Sequence, residues 1–281
     1  MINKVCVCGA GTMGSGIAQS VAQSGFSTIL YDLDPQILQR AKTHMQENLG
    51  LLVNKNKISD AEKTAILNRL NFLTDINACK GDIIIEAIVE KLDAKRELFI
   101  QLETINDAAT VFATNTSSLS VTEIANTIMR PERVMGMHFF NPATIMKLVE
   151  LVKTEFTNDN SIRIVHELAL KMGKTPVHCN DSPGFIVNHV ARPYYLEALR
   201  LVEAGAVDYE TVDSIMEDTG FKMGPFKLMD LIGNDINYAV SQTVYNALGN
   251  PERLKPSPIQ EQKVRQGELG RKTGKGYYTY G

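Results

Sequence analysis

Three observations predict an α/β chain: a Rossmann-type doubly wound parallel sheet followed by an all-α C-terminal domain. Strand-like and helix-like stretches alternate through the first two-thirds of the sequence, as in a parallel sheet covered on both faces. A glycine-rich turn closes the first strand-like run, the place where dinucleotide folds bend around a pyrophosphate. Beyond residue 183 the apolar spacing is helical and no strand is evident.

The elements follow in order. KVCVCG is an apolar strand, and GSGIAQSVAQSG is a helix of small residues stopped by Gly25. STILYDLD is a second strand; PQILQRAKTHMQENLGLLVNKNKIS opens with a proline suited to a first helical turn, and DAEKTAILNRL is a further helix. DIIIEAI, TVFATN, RVMGMHFF and MKLVELV read as strands, while LDAKRELFIQLETI and SVTEIANTI read as helices. The second part is predicted to hold PGFIVNHVARPYYLEALRLVEAG as one long helix with a kink at Pro193. YETVDSIMEDTG, GPFKLMDLIGNDINYAVSQTVYNAL and SPIQEQKVRQG are helical too, and NPERLKPSP is a proline-punctuated loop. The change of pattern divides residues 1–182 from residues 183–281.

Composition narrows the function classes. The chain has 281 residues, long enough for two domains, with 44% hydrophobic and 22% charged residues. A net charge of −3 and a pI of about 6.0 argue against nucleic acid or an anionic membrane as partner. No apolar run approaches the length of a membrane span, and the first strand begins too near Met1 to leave room for a signal peptide. Cys6 and Cys8 share one strand face, and their spacing does not match a C-x₂-C motif. Buried thiols in a reducing compartment, hence a cytoplasmic protein, are expected. No metal-ligand cluster is visible, so no metal is expected.

The loop reads Gly9-Ala10-Gly11-Thr12-Met13-Gly14. In a G-x-G-x-x-G turn the first glycine allows the bend, the second admits the pyrophosphate and the third lets helix and strand pack closely. The anion then meets free N–H groups at a helix N-terminus. Asp32 ends the second strand, 32 − 11 = 21 residues beyond the middle glycine. An acid there bonds the adenosine ribose hydroxyls and repels a 2′-phosphate, which points to NAD. A cap for the helix near Pro35 is the plainer reading of Asp32.

Three later stretches carry polar groups at strand ends. In ATNTSSLS, Ser120 with Glu123 fits a capping box, which leaves Asn115, Ser117 and Ser118 at the carboxyl edge of the sheet. His138 lies within RVMGMHFF, and Glu150 interrupts an apolar run between Val149 and Leu151. A carboxylate among such neighbours needs a partner, and histidine is the natural one: the acid would fix its tautomer and leave the other ring nitrogen as a base. In DSPGFIVNHV, Asp181 or Ser182 is expected to cap a helix with Pro183 in its first turn. Asn188, about one turn in, reads either as a substrate ligand or as a bland polar residue at a domain junction.

The loop, NTSSL, HFFNP, KLVELV, DSPGFIVN, GPFKLMDLIG and GRKTGKGYYTY together resemble the 3-hydroxyacyl-CoA dehydrogenase family, and within it the short bacterial 3-hydroxybutyryl-CoA dehydrogenases. The resemblance implies an N-terminal NAD-binding domain and a helical C-terminal domain that forms a homodimer, with acyl-CoA bound between them. It makes His138 the acid/base and Glu150 its partner, and it puts Ser117 and Asn188 on the reacting oxygen or the thioester. It places Glu90, Lys95 and Asn115 near the nicotinamide end of the cofactor. Lys55 and Lys57 read either as contacts to a CoA phosphate or as a solvated helix end. Two rival readings are a dehydrogenase of the same superfamily acting on a hydroxy acid without CoA, as in a gulonate-type enzyme, and a catalytically idle NAD-binding protein.

Overall fold

Valines and cysteines alternate along β1 (Lys4–Cys8), and Val5 to Cys8 are fully buried. A strand hidden on both faces belongs inside a sheet. The computed structural model, which describes residues 2–281, places it there. The eight-stranded sheet has the order β3-β2-β1-β4-β5-β6-β7-β8. Its strands are β2 (Ser27–Tyr31), β3 (Leu70–Leu73), β4 (Ile83–Glu86), β5 (Val111–Thr114), β6 (Val134–Phe139), β7 (Leu148–Lys153) and β8 (Thr175–Asn180). The first six are parallel in the doubly wound order, so the carboxyl ends of β1, β4, β5 and β6 share one edge.

Helices α1 (Thr12–Gln23), α2 (Pro35–Asn54), α3 (Asp60–Asn68), α4 (Leu92–Ile105), α5 (Val121–Ala125) and α6 (Asp159–Lys171) accompany the sheet. Ile83, Ile84 and Ile85 in β4 are wholly buried, each worth about 1.5–3 kcal/mol relative to exposure. One compact unit ends at Asp181 and the other spans Ser182–Gly281. The second unit contains α7 (Val187–Glu203), α8 (Tyr209–Asp218), α9 (Pro225–Ile232), α10 (Asn234–Ala247) and α11 (Pro258–Arg265) around a core that includes Tyr195, Leu199, Phe226 and Val244. Asp230 in α9 accepts bonds from the amides of Tyr277 and Tyr278 and from the Tyr280 hydroxyl, which fastens the end of the chain. Among the described residues no helix is long and apolar enough to cross a membrane.

Several local expectations are corrected. The sheet is mixed: β7 runs antiparallel to β6 and carries β8 with it. The helix over residues 60–70 stops at Asn68, and β3 begins at Leu70. Residues 224–248 form two helices, because Gly233 takes φ +106° between them. The 3₁₀ turn Glu252–Leu254 lies in the NPERLKPSP loop. Pro183 lies outside α7, whose cap is Ile186, and Pro193 lies inside it. Asp181 accepts from the Ser120 hydroxyl and the Thr122 amide, so it serves α5 instead. The Ser120 hydroxyl caps α5 through the Glu123 amide, while the Glu123 carboxylate pairs with Arg96. The return bond expected of Glu123 is thus replaced by a salt bridge.

Candidate active site

β1 delivers its chain into Gly9, whose φ of +103° an L side chain rarely adopts. The Gly9 amide donates to the Tyr31 carbonyl at 2.7 Å, tying the turn to the end of β2. A Cβ at Gly14 would overlap the Gly9 carbonyl, so that glycine secures the helix–strand approach. Gly11 differs: a Cβ there would meet nothing within 4 Å. Gly11 is also the N-cap of α1 and supplies no side-chain cap. Thr12 and Met13 begin the helix, and the first-turn N–H groups favour an anion. Open space over Gly11 and an uncapped helix start fit a pyrophosphate, as the motif requires.

Asp32 follows β2 directly. One carboxylate oxygen accepts the Ala10 amide at 2.8 Å, and the other accepts the Asp34 amide at 3.0 Å. The cap of α2 is Asp34, which accepts from Gln36. Asp32 is therefore bound to the glycine loop itself and is not the helix cap.

At the end of β4, Glu86 is wholly buried and accepts from the Ile88 amide, the Lys95 ammonium and the Thr114 hydroxyl at 2.7, 2.6 and 2.6 Å. Lys95, equally buried, also lies 3.1 Å from Glu90. Glu90 in turn accepts from the Thr116 hydroxyl at 2.5 Å and the Ser117 amide at 3.0 Å. Burial alone would raise the Glu90 carboxyl, but Lys95 and the bonds from Thr116 and Ser117 bring it below its ordinary value. Lys95 thus positions Glu90 from beneath. Asn115 follows β5, and its side-chain oxygen accepts the Phe139 amide at 2.9 Å, joining the ends of β5 and β6.

His138 and Glu150 are register partners across the antiparallel β6–β7 pair. Such partners point their side chains to the same face at close range. His138 Nδ1 lies 2.7 Å from Glu150 Oε2, with His138 6% and Glu150 1% exposed. The Phe140 ring packs on the imidazole at 4.6 Å between centroids. A carboxylate on Nδ1 places the exchangeable chemistry at Nε2.

The N-terminal unit therefore has Gly9, Gly11, Thr12, Met13 and Gly14 after β1, Asp32 after β2, Glu90 and Lys95 after β4, and Asn115 and Ser117 after β5. It joins His138 to Glu150 beyond them. Lys55 caps the C-terminus of α2 and Lys57 follows in the turn; both are exposed. Asn188, in the C-terminal unit, is the second residue of α7, and its carbonyl accepts from Arg192 at 3.0 Å. Sequence reasoning passed over Glu86 and Thr116. Glu86, between Ile85 and Ala87, carried the signal that picked out Glu150, an acid interrupting an apolar run.

Comparison with known proteins places both parts of the chain in one family. A family model described as 3-hydroxyacyl-CoA dehydrogenase, NAD binding domain, matches residues 4–182. One described as 3-hydroxyacyl-CoA dehydrogenase, C-terminal domain, matches residues 184–280. The chain is 44% identical over 281 residues to the 3-hydroxyadipyl-CoA dehydrogenase of Escherichia coli K12, covering 99% of this chain but 59% of that protein. It is 42% identical to a probable 3-hydroxybutyryl-CoA dehydrogenase of Deinococcus radiodurans, covering 99% of this chain and 100% of that one. Among solved structures, the (S)-3-hydroxybutyryl-CoA dehydrogenase of Ralstonia eutropha is similar with a TM-score of 0.95 at 35% identity, covering 100% of both chains.

Proposed function

The chain belongs to the 3-hydroxyacyl-CoA dehydrogenase family, and from that premise we propose that it carries out reversible NAD-dependent oxidation of an (S)-3-hydroxyacyl-CoA, 3-hydroxybutyryl-CoA in the first place, to the 3-oxoacyl-CoA. The observation that carries this reading is the buried His138–Glu150 pair, 2.7 Å apart, in the unit that contains the glycine loop and Asp32. Whole-length similarity to the Deinococcus and Ralstonia proteins supports the substrate class.

Gly9 to Gly14 and Asp32 would hold the adenosine diphosphate half of NAD, and Glu90 and Asn115 its nicotinamide end. Bound NAD supplies the hydride acceptor. His138 accepts the 3-hydroxyl proton at Nε2 as the C3 hydrogen departs with its electron pair and the carbonyl forms. Glu150 keeps Nδ1 protonated throughout and stabilises the imidazolium once the proton has arrived. In reduction the same nitrogen returns the proton to the oxygen. Ser117 and Asn188 keep the role that the family implies, hydrogen bonding to the reacting oxygen or the thioester.

Exposed Lys55 and Lys57 are assigned to the CoA phosphates, which a chain of net charge −3 attracts only locally. Lys55→Ala and Lys57→Ala then raise KM for acetoacetyl-CoA and leave kcat unchanged; an unaltered KM in both returns them to solvated ends. A homodimer through the C-terminal unit is supported by exposed apolar residues on its helices, among them Val190, Leu201 and Ile215. Sedimentation equilibrium tests it, with a monomer as the contrary result. A cytoplasmic location is supported by four free cysteines.

The activity is tested by NADH oxidation with acetoacetyl-CoA set against free acetoacetate. Turnover of the thioester at far higher kcat/KM supports the proposal. Preference for the free acid favours the hydroxy-acid reading, and inactivity on both favours an idle NAD-binding protein.

A further inference from the structure

Three thiols that the proposed reaction does not use converge in the N-terminal unit. Cys6 and Cys8 lie on one face of β1 with their sulfurs 4.0 Å apart. Cys79, 79 − 8 = 71 residues downstream, caps the 3₁₀ turn Ile76–Ala78 and reaches the same point. All three sulfurs lie within 4.8 Å of one another, and all three residues are fully buried.

The spacing suits a metal better than a disulfide. Sulfurs 4.0 Å apart are about twice the bonded distance of roughly 2.05 Å. Residues two apart in one strand also hold their Cα atoms about 6.6 Å apart, near the limit for a bridge. Three sulfurs each about 2.3 Å from a central ion in their own plane stand about 4.0 Å from one another. We propose that Cys6, Cys8 and Cys79 form a three-coordinate thiolate site for a thiophilic d¹⁰ ion, Cu(I) in the first place.

The choice of ion follows from the donor set. Thiolates select soft ions, and structural zinc asks for a fourth ligand. Among the described residues no imidazole, carboxylate or fourth thiol joins this group. Cys79 ends a short 3₁₀ turn in which Asn77 is exposed, and Lys80, which follows it, is exposed too.

The test is an anaerobic titration of the reduced full-length protein with Cu(I) held by the chromogenic chelator bicinchoninate. The proposal predicts transfer of one Cu(I) per chain with growth of a Cu(I)–thiolate absorption. Cys79→Ser and Cys6→Ser each weaken the affinity by more than about 100-fold, beyond the usual cost of losing an outer-sphere partner. Cys179→Ser, outside the cluster, keeps wild-type affinity. Circular dichroism and NADH binding confirm that each variant is folded, and Cys79→Ser carries the test if Cys6→Ser does not fold. No transfer to the wild type, or undiminished transfer to Cys79→Ser, overturns the proposal; so does preferential retention of Zn(II).

Discussion

Asp32 accepts the Ala10 amide at 2.8 Å, so the acid at the end of the second strand holds the glycine loop in shape. Its other oxygen takes the Asp34 amide. The residue holds the loop, and in the proposed function it also binds the ribose. Asp32→Asn keeps a hydrogen-bonding oxygen and removes the charge. It is expected to raise KM for NADH by about 10- to 100-fold, the worth of a charge-assisted hydrogen bond. It should also narrow the gap between NADH and NADPH, since the repulsion of a 2′-phosphate is lost. Steady-state kinetics with both nucleotides checks this, and an unchanged NADH/NADPH ratio would speak against the ribose role.

Gly11 and Gly14 separate the ligand and packing duties of the loop. A methyl group at Gly11 meets no protein atom within 4 Å, whereas one at Gly14 runs into the Gly9 carbonyl. Gly11→Ala should fold with a melting temperature near wild type and bind NADH at least about tenfold more weakly, because the methyl occupies the phosphate's path. Gly14→Ala should lose stability first, through overlap with backbone that cannot move aside. Thermal melts paired with NADH fluorescence titrations distinguish the two. Equal destabilisation of both variants would contradict this division.

Glu90 gives the acid side of the stability profile a specific contributor. Its carboxyl is lowered from 4.5 in the folded protein. A depressed carboxyl stabilises the fold above its unfolded value and loses that contribution as pH falls through the folded one. Glu90→Gln should therefore be less stable than wild type at neutral pH, with the difference shrinking as pH drops below about 4.5. Melting temperatures from pH 7 to pH 3 test it. A gap that stays constant with pH would assign Glu90 a purely steric role.

The legible parts of this molecule were those with strong local signals. The glycine loop, Asp32, and the His138 and Glu150 strands announce themselves by glycine spacing and by charge in apolar runs. What stayed hidden has physical reasons. β3 is four residues long and contains Asn71, so it merged with the helix before it. β8 carries Pro176 and has no buried residue along its length, an edge strand with little apolar signal. The antiparallel turn from β6 to β7 is a pairing choice that periodicity does not encode. Asp181 looked like a cap for its own neighbours because local spacing cannot show that Ser120 and Thr122 lie beside it. Cys79 is distant from Cys6 in sequence for the same reason, and only the fold brings them together.

The central claim is that His138, held by Glu150, moves the proton in a nicotinamide-dependent reaction of an acyl-CoA. The most direct measurement is kcat for acetoacetyl-CoA reduction by NADH in wild type, His138→Ala and Glu150→Gln, with NADH binding followed in parallel. The account predicts that His138→Ala lowers kcat by about 10²- to 10⁴-fold, the usual worth of a positioned acid/base. Glu150→Gln should fall in the same direction, and NADH should bind both variants as it binds wild type. His138→Ala turning over at the wild-type rate would contradict it.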